Sequence, residues 1–354
     1  MKIKTTMAAL AAIALAVSSF ASTAEAAKVG VSMPTQSLQR WNQDGSNMKN
    51  LLEQSGHTVD LQYAGDNDIP TQVNQIENMI ASDVDIIVIA SIDGSALTEV
   101  LKGAKEKNIP VIAYDRLIMN SDAVSYYATF DNTNVGRLQG QFIVDKLDLD
   151  NAKEPLNIEL FTGPTDDNNV NFFWSGTMEV LQPYLDSGKL VVKSGQTTKE
   201  QAATVNWNLE EAQKRMENLI SSNAYGPDDT PLAAVLCTND ALAVGSVNAL
   251  LAAGYDVSNM PVITGMDCDK PAVKNIVRGY QSMSVFKDTR TLATQVVNMV
   301  DSIANGEKVE VNDTTTYNNG TGVIPSYLCD VVAATKDNYK ALLIDSGYYK
   351  ATDI

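Results

Sequence analysis

A two-lobed α/β fold with a parallel sheet in each lobe is what this 354-residue chain predicts, on three observations. Short apolar runs alternate with longer segments of helical period along the whole chain, the pattern of strand–helix–strand units with right-handed crossovers. One run, residues 85–90, is unbroken Ile, Val and Ala after its first residue, as a strand buried on both faces requires. The alternation restarts after Asp131, which divides the chain into two units of similar size, a length that suits two domains.

The elements follow in order. Residues 28–33 read as a strand, 42–55 as a helix stopped at Gly56, and 57–64 as a strand. Over 71–81, Val73, Ile76, Met79 and Ile80 share one helical face. Strand 85–90, helix 96–107 and strand 110–114 complete the first unit. The second unit predicts helices at 133–147, 169–184, 209–222, 241–253 and 270–278, alternating with strands at 156–161, 190–193, 233–237, 261–265 and 281–286. A long helix over 289–305 turns Leu292, Val296, Met299, Val300 and Ile303 inward. Strands near 314–317 and 327–333 and a helix from Lys336 finish the chain. No linker of Pro, Gly and Ser separates the halves, so the chain crosses between lobes in ordinary short segments, expected near 130–132, 287–288 and 321–325. The lobes are then 27–130 with 288–322, and 131–287 with 323–354, joined by a hinge of three segments.

Residues 1–26 have the layout of a cleavable secretory signal. Lys2 and Lys4 precede an apolar run over 7–17, and Ala24-Glu25-Ala26 is a small-residue cleavage site. That run is too short to cross a bilayer. A mature chain starting at Ala27, exported to the periplasm, is expected.

The net charge of −17 excludes a nucleic-acid partner, which needs a basic face, and disfavours anionic membranes. Three cysteines, Cys237, Cys268 and Cys329, are too few for a disulfide scaffold and read as free thiols, with a Cys237–Cys268 bond as the alternative. His57 is the only histidine and is expected at the surface. With one histidine, histidine-based zinc sites and a Ser-His-Asp triad drop out. No phosphate-binding loop, dinucleotide fingerprint or calcium loop occurs. Neither cofactor nor metal is expected.

Five clusters lie where a predicted strand gives way to a helix, or just inside that helix: Arg40-Trp41, Asp115-Arg116, Asp167-Asn168-Asn169, Asn239-Asp240 and Asp267. Parallel strands share a carboxyl edge, where ligands bind, so these distant residues are expected to converge. Planar polar groups and aromatic plates suit a sugar, which offers hydroxyls and apolar C–H faces. For each there is a plainer reading. Asp115-Arg116 is otherwise a strand-end ion pair, Asp240 a helix cap, and Trp41 and Trp207 core residues. Lys287, beside a predicted crossing, is otherwise a solvated surface lysine.

Across the whole mature chain the sequence resembles the periplasmic sugar-binding proteins of ABC importers, of the ribose/galactose/xylose type, and within them the xylose-binding and multiple-sugar-binding branch. The resemblance rests on Arg40-Trp41, residues 75–80 (QIENMI), 112–116 (IAYDR), 127–132 (YATFDN), 166–169 (DDNN), 181–189 (LQPYLDSGK) and 323–326 (VIPS), in that order. It implies Rossmann-like lobes of the periplasmic binding protein type I, with a monosaccharide such as D-xylose closed between them. It implies that Trp41 and Trp207 sandwich the sugar ring. Arg40, Asp115 and Arg116 then hold hydroxyls from one lobe, and Asn168 or Asn169, Asn239, Asp267 and Lys287 from the other lobe and the hinge. It further implies a monomer that delivers to an inner-membrane ABC permease, with a chemoreceptor or sensor kinase as a further partner. One departure is Gly265-Met266-Asp267, where the branch usually has Gly-Gln-Asp. Two other functions are weighed. A glycosidase would use Asp115 and Asp267 as its carboxylate pair, but nothing beside them marks a proton donor or a water. A transcription regulator of the same fold would carry a helix-turn-helix where the signal lies.

Overall fold

The computed structural model describes residues 26–354, so most of the expected signal lies outside the described residues. The first lobe is built on a six-stranded sheet in the order β11-β5-β4-β3-β1-β2. Its strands are β1 (Lys28–Met33), β2 (Thr58–Tyr63), β3 (Ile86–Ile89), β4 (Val111–Tyr114), β5 (Val124–Phe130) and β11 (Ser326–Cys329), all paired in parallel. Helices α1 (Gln39–Gln54), α2 (Ile69–Ala81), α3 (Thr98–Glu106) and α10 (Thr289–Ala304) cover it. β3 and β4 are wholly buried, which is why the 85–90 run carries no polar alternation.

The second lobe has a four-stranded parallel sheet, β7-β6-β8-β9, from Leu190–Val191, Leu156–Phe161, Ala234–Cys237 and Val262–Ile263. β10 (Met283–Phe286) pairs antiparallel with β12 (Val332–Thr335), and a parallel bridge from Met266 to Val285 joins this ribbon to the segment after β9. Its helices are α4 (Asn132–Lys146), α5 (Asn169–Asp186), the short α6 (Lys199–Ala202), α7 (Leu209–Asn223), α8 (Asp240–Ala252) and α9 (Lys270–Arg278). α4 and α5 approach backbone to backbone: a Cβ on Gly136 would lie 2.1 Å from the Phe173 carbonyl oxygen, and one on Gly176 2.0 Å from that of Thr133.

The predicted elements stand with shifts of a few residues, apart from three, and β5 and the short α6 stand where no element is predicted. β5 was not expected, although Val124, Tyr126, Tyr127, Thr129 and Phe130 are strand-forming residues. Residues 314–317 form no strand; there the chain makes only the bridge from Asp313 to Ser326. The strand expected over 327–333 is two strands in different lobes, β11 and β12. The helix expected from Lys336 is a π-helical turn at Lys340–Asp345. The split strand corrects the third crossing. β11 pairs with β5 of the first lobe, so the chain crosses at Asp330–Val331 and not at 321–325, and residues 323–329 belong with the first lobe. Apolar pattern alone shows no break there, because both strands are half-buried and contiguous. The other two crossings fall at Asp131 and at Lys287–Asp288, between β5 and α4 and between β10 and α10.

Cys237, Cys268 and Cys329 are free and buried. His57 is not at the surface: it is 4 % exposed, enclosed at the start of β2. Among the described residues, no helix is long and apolar enough to cross a membrane and no cluster of His, Cys, Asp or Glu could hold a metal.

Candidate functional site

A narrow cavity of about 20 Å³ lies between the lobes at the carboxyl edges of both sheets. It is lined by Arg40, Trp41, Asp115, Arg116, Asn169, Trp207, Asn239, Asp267 and Lys287, nine of the ten residues expected to hold a sugar, together with Asp167 of the same sequence clusters and with Leu38, Phe173 and Met266. Asn168 is not in the lining; its Oδ1 accepts from Asn171 on the first turn of α5.

Each side chain arrives by a local cause. Arg40 and Trp41 sit on the first turn of α1, one position after Gln39. Asp115, just past β4, and Asp267, just past the Met266 bridge, have positive φ of 59° and 94°, and each is held there by its N–H, to the carbonyls of Ala128 and Val285. Trp207 and Asn206 before it also have φ of 54°. Such conformations cost about 1–3 kcal/mol each in a non-glycine residue and cluster at functional sites. The Trp207 ring lies so close to the backbone after β6 that a Cβ on Gly163 would come within 2.2 Å of it. Its Nε1–H donates to Asp167 Oδ2 at 3.1 Å, and Phe173 meets its ring edge-on at 6.2 Å.

The charges form a network that spans the lobes. Arg40 pairs with Asp44 and Asp115 at 2.9 Å within its own lobe, and with Asp267 of the other at 3.5 Å. Lys287 lies 3.0 Å from Asp267 and 3.8 Å from Asp115. Arg116 Nε is 3.1 Å from Asp167, while its Nη1 donates to the carbonyls of Ser91 and Ile92. The Arg40 and Arg116 guanidinium groups lie 4.4 and 5.2 Å from the Trp41 ring centroid, within cation–π reach. Lys287 is 2 % exposed, so the solvated-surface reading of it is overturned; the paired carboxylates hold it inside. Burial works against the Asp115 carboxylate, but Arg40, Lys287 and Arg116 outweigh burial and hold it below the usual carboxylate range. Asp44, behind Arg40 and bonded to the Tyr114 hydroxyl, is pushed up to about 6, chiefly by burial.

Several of these groups also have structural duties. Asn239, not Asp240, caps α8: its Oδ1 accepts from Leu242 N–H. Asp240 lies inside the first turn, where it accepts from Gln281, Ser284 and the Asp269 N–H. Asn169 donates to the Asp115 carbonyl at 2.8 Å, and the Tyr127 hydroxyl stands 3.0 Å from its Oδ1, so this amide ties α5 to the opposite lobe. Against this full use of polar groups stand four cavity atoms. Trp41 Nε1 is buried with no partner at all, while Arg40 Nη2, Asp115 Oδ2 and Asp267 Oδ1 are buried and satisfied only by the ion pairs above, without a hydrogen bond of good geometry. Buried polar atoms of proteins are nearly always bonded, and exceptions call for a ligand or water.

Leu38, Phe173 and Met266 were not expected in the lining. They are apolar and sit among strand and helix residues that read equally well as core. Asp167 had a signal, since it belongs to the 166–169 cluster and starts the turn into α5.

The periplasmic binding protein domain family matches residues 29–308. The multiple sugar-binding periplasmic receptor ChvE of Rhizobium radiobacter is 48% identical over 97% of this chain and 98% of its own length. The D-xylose-binding periplasmic protein of Escherichia coli K12 is 35% identical over the full length of both. Among solved structures, an ABC transporter solute-binding protein from Clostridium phytofermentans with bound β-D-glucose superposes with a TM-score of 0.89, at 58% identity over 92% of this chain and 99% of its own.

Proposed function

This chain belongs to the periplasmic binding protein family, whose members bind substrates and are not enzymes, and from that premise we propose that it captures an aldose monosaccharide between its lobes and delivers it to an ABC import permease. The observation that carries this reading is a buried ring of charged groups, Arg40, Asp115, Asp267 and Lys287, bonded only to one another across the gap between the lobes and walled by two tryptophans, one of which has a free Nε1–H. A ring hydroxyl both donates and accepts, so one hydroxyl can insert between an Arg40 N–H and an Asp115 or Asp267 oxygen and serve both. Trp41 and Trp207 offer plates for the sugar's C–H faces. Asn239, with its oxygen committed to α8, keeps its NH₂ as a donor. The cavity's three cations are matched by Asp115, Asp167 and Asp267, which favours a neutral sugar.

Closure follows from the ligand touching both lobes: it binds the closed form better and shifts the population toward it. A micromolar complex needs about 8 kcal/mol, within the limit of ~1.5 kcal/mol per heavy atom for a ligand of roughly ten heavy atoms. Export through cleavage of a leader over 1–26, and action as a monomer, belong to the same reading. The Rhizobium relative is named a receptor, which favours a second use of the closed form, presentation to a chemoreceptor or sensor kinase.

Calorimetric titration of the purified protein against a panel of pentoses and hexoses tests the proposal. Trp207→Ala and Asp267→Ala are each expected to weaken the best ligand by about 1–3 kcal/mol, roughly five- to 150-fold. Wild-type affinity in both variants removes the site assignment.

A further inference from the structure

The only histidine of the chain takes no part in the cavity, yet it is buried and bonded through both ring nitrogens. The Ala27 backbone N–H donates to His57 Nδ1 at 3.1 Å, and His57 Nε2 lies 2.7 Å from Asp301 Oδ1 on α10. An amide can only donate, so Nδ1 is the unprotonated nitrogen. Nε2 therefore carries the hydrogen and donates it to Asp301. The next amide, of Lys28, donates to Asp85 Oδ2 at 2.7 Å. The Lys28 ammonium does not answer these carboxylates; it reaches the Ser82 carbonyl at 2.6 Å. Ala27 is buried and Ala26 exposed, so the bond between them lies at the surface. An open groove lined by Ala26, Ala27, Asp85, Ile86, Ile303 and Ala304 runs beside it. The small-residue site Ala24-Glu25-Ala26 ends at that same bond.

Resting on the cleavage of the 1–26 leader proposed above, we propose that the α-ammonium it creates on Ala27 is received by His57, with Asp301 fixing the ring from behind. Hydrolysis of that peptide bond leaves a carboxylate on Ala26 of the leader and an amine on Ala27 of the mature chain. In the uncut chain the nitrogen is a neutral amide. In the cut chain it carries a positive charge at neutral pH, beside a lone pair backed by Asp301 and close to the Asp85 carboxylate. Processing thus places a cation where the fold already holds an acceptor and two acids. It ties the start of β1 to β2 and α10.

The test uses the full-length chain exported and purified. N-terminal sequencing is expected to read from Ala27. The rate of acetylation of the α-amine, followed by mass spectrometry against pH, is expected to rise with a midpoint about one unit above the ordinary 7.7–8.0. At pH 8 this makes it roughly fivefold slower than in the urea-unfolded protein. Asp301→Asn, on the partly exposed face of α10, is expected to bring the midpoint back toward the ordinary value with sugar affinity unchanged. His57→Gln gives a second reading should Asp301→Asn fold poorly. A mature chain starting elsewhere, or a midpoint that neither variant moves, overturns the proposal. A slow rate insensitive to both would mean simple burial of the amine, which also overturns it.

Discussion

Asp115, Trp207 and Asp267 share a positive φ, which a short polar Asp tolerates and a bulky Trp does not. Ion pairs from both lobes fix the two Asp residues, Asp167 and Phe173 fix Trp207 from within its own lobe, and all three line the same cavity. Close by, three acids crowd the second lobe. Asp269 is pushed up to about 7, by burial first and by Asp267 next, and its Oδ1 has no partner. Burial, then Asp269 and Asp267, push Asp240 well up as well. A carboxyl raised in this way binds a proton in the folded state that the unfolded chain has lost. Its stabilising contribution is complete below the model-peptide value near 3.8 and is lost as pH rises through about 7. Asp269→Asn keeps the shape and removes the charge. We expect it to melt above the wild type at pH 8, with the gap closing toward pH 4. Thermal unfolding at pH 4, 6 and 8 measures this, and equal melting at pH 8 would contradict the assignment.

Between elements, the α4–α5 contact depends on glycine. Gly136 and Gly176 let each helix backbone rest on the other, and α5 is the helix whose first turn carries Asn169 into the cavity. A methyl on Gly176 would meet the Thr133 carbonyl and the Arg137 nitrogen of α4, and backbone cannot rotate aside. Gly176→Ala is expected to lower stability by at least about 1–3 kcal/mol, seen as an earlier urea midpoint, with an unchanged midpoint as the contrary result. At this scale the sequence was mostly legible. Period and apolar runs locate strand and helix, as at β3, where four consecutive buried residues leave no other reading. It failed at β11 and β12, since two short strands of different lobes make one continuous pattern. It failed at His57, since nothing local shows that α10 and the chain's start will enclose it. It failed at Asp240, where cap and buried acid look the same in one dimension.

Across the whole molecule, three crossings and a tail link the lobes. The Tyr349 hydroxyl accepts from Gln39 of the first lobe at 2.7 Å and donates to the Cys268 carbonyl of the second at 2.9 Å. Arg40–Asp267, Lys287–Asp115 and Arg116–Asp167 add charge across the gap. Buried ion pairs gain little net free energy, because desolvation offsets attraction. They should leave open and closed forms near balance until a ligand inserts among these charges. Small-angle scattering is then expected to show a smaller radius of gyration on adding the preferred sugar. An identical radius with and without sugar would mean that the ion pairs alone keep the lobes shut.

The sequence by itself determined the alternation of strand and helix, the two lobes and the identity of most cavity side chains, because each depends on local period or on the carboxyl edge that parallel strands must share. Tertiary structure alone decided where the third crossing falls, which of Asn168 and Asn169 turns inward, and that His57 is enclosed. Those outcomes depend on partners hundreds of residues away, such as Asp301 for His57 and β5 for β11, and no local pattern encodes a distant neighbour.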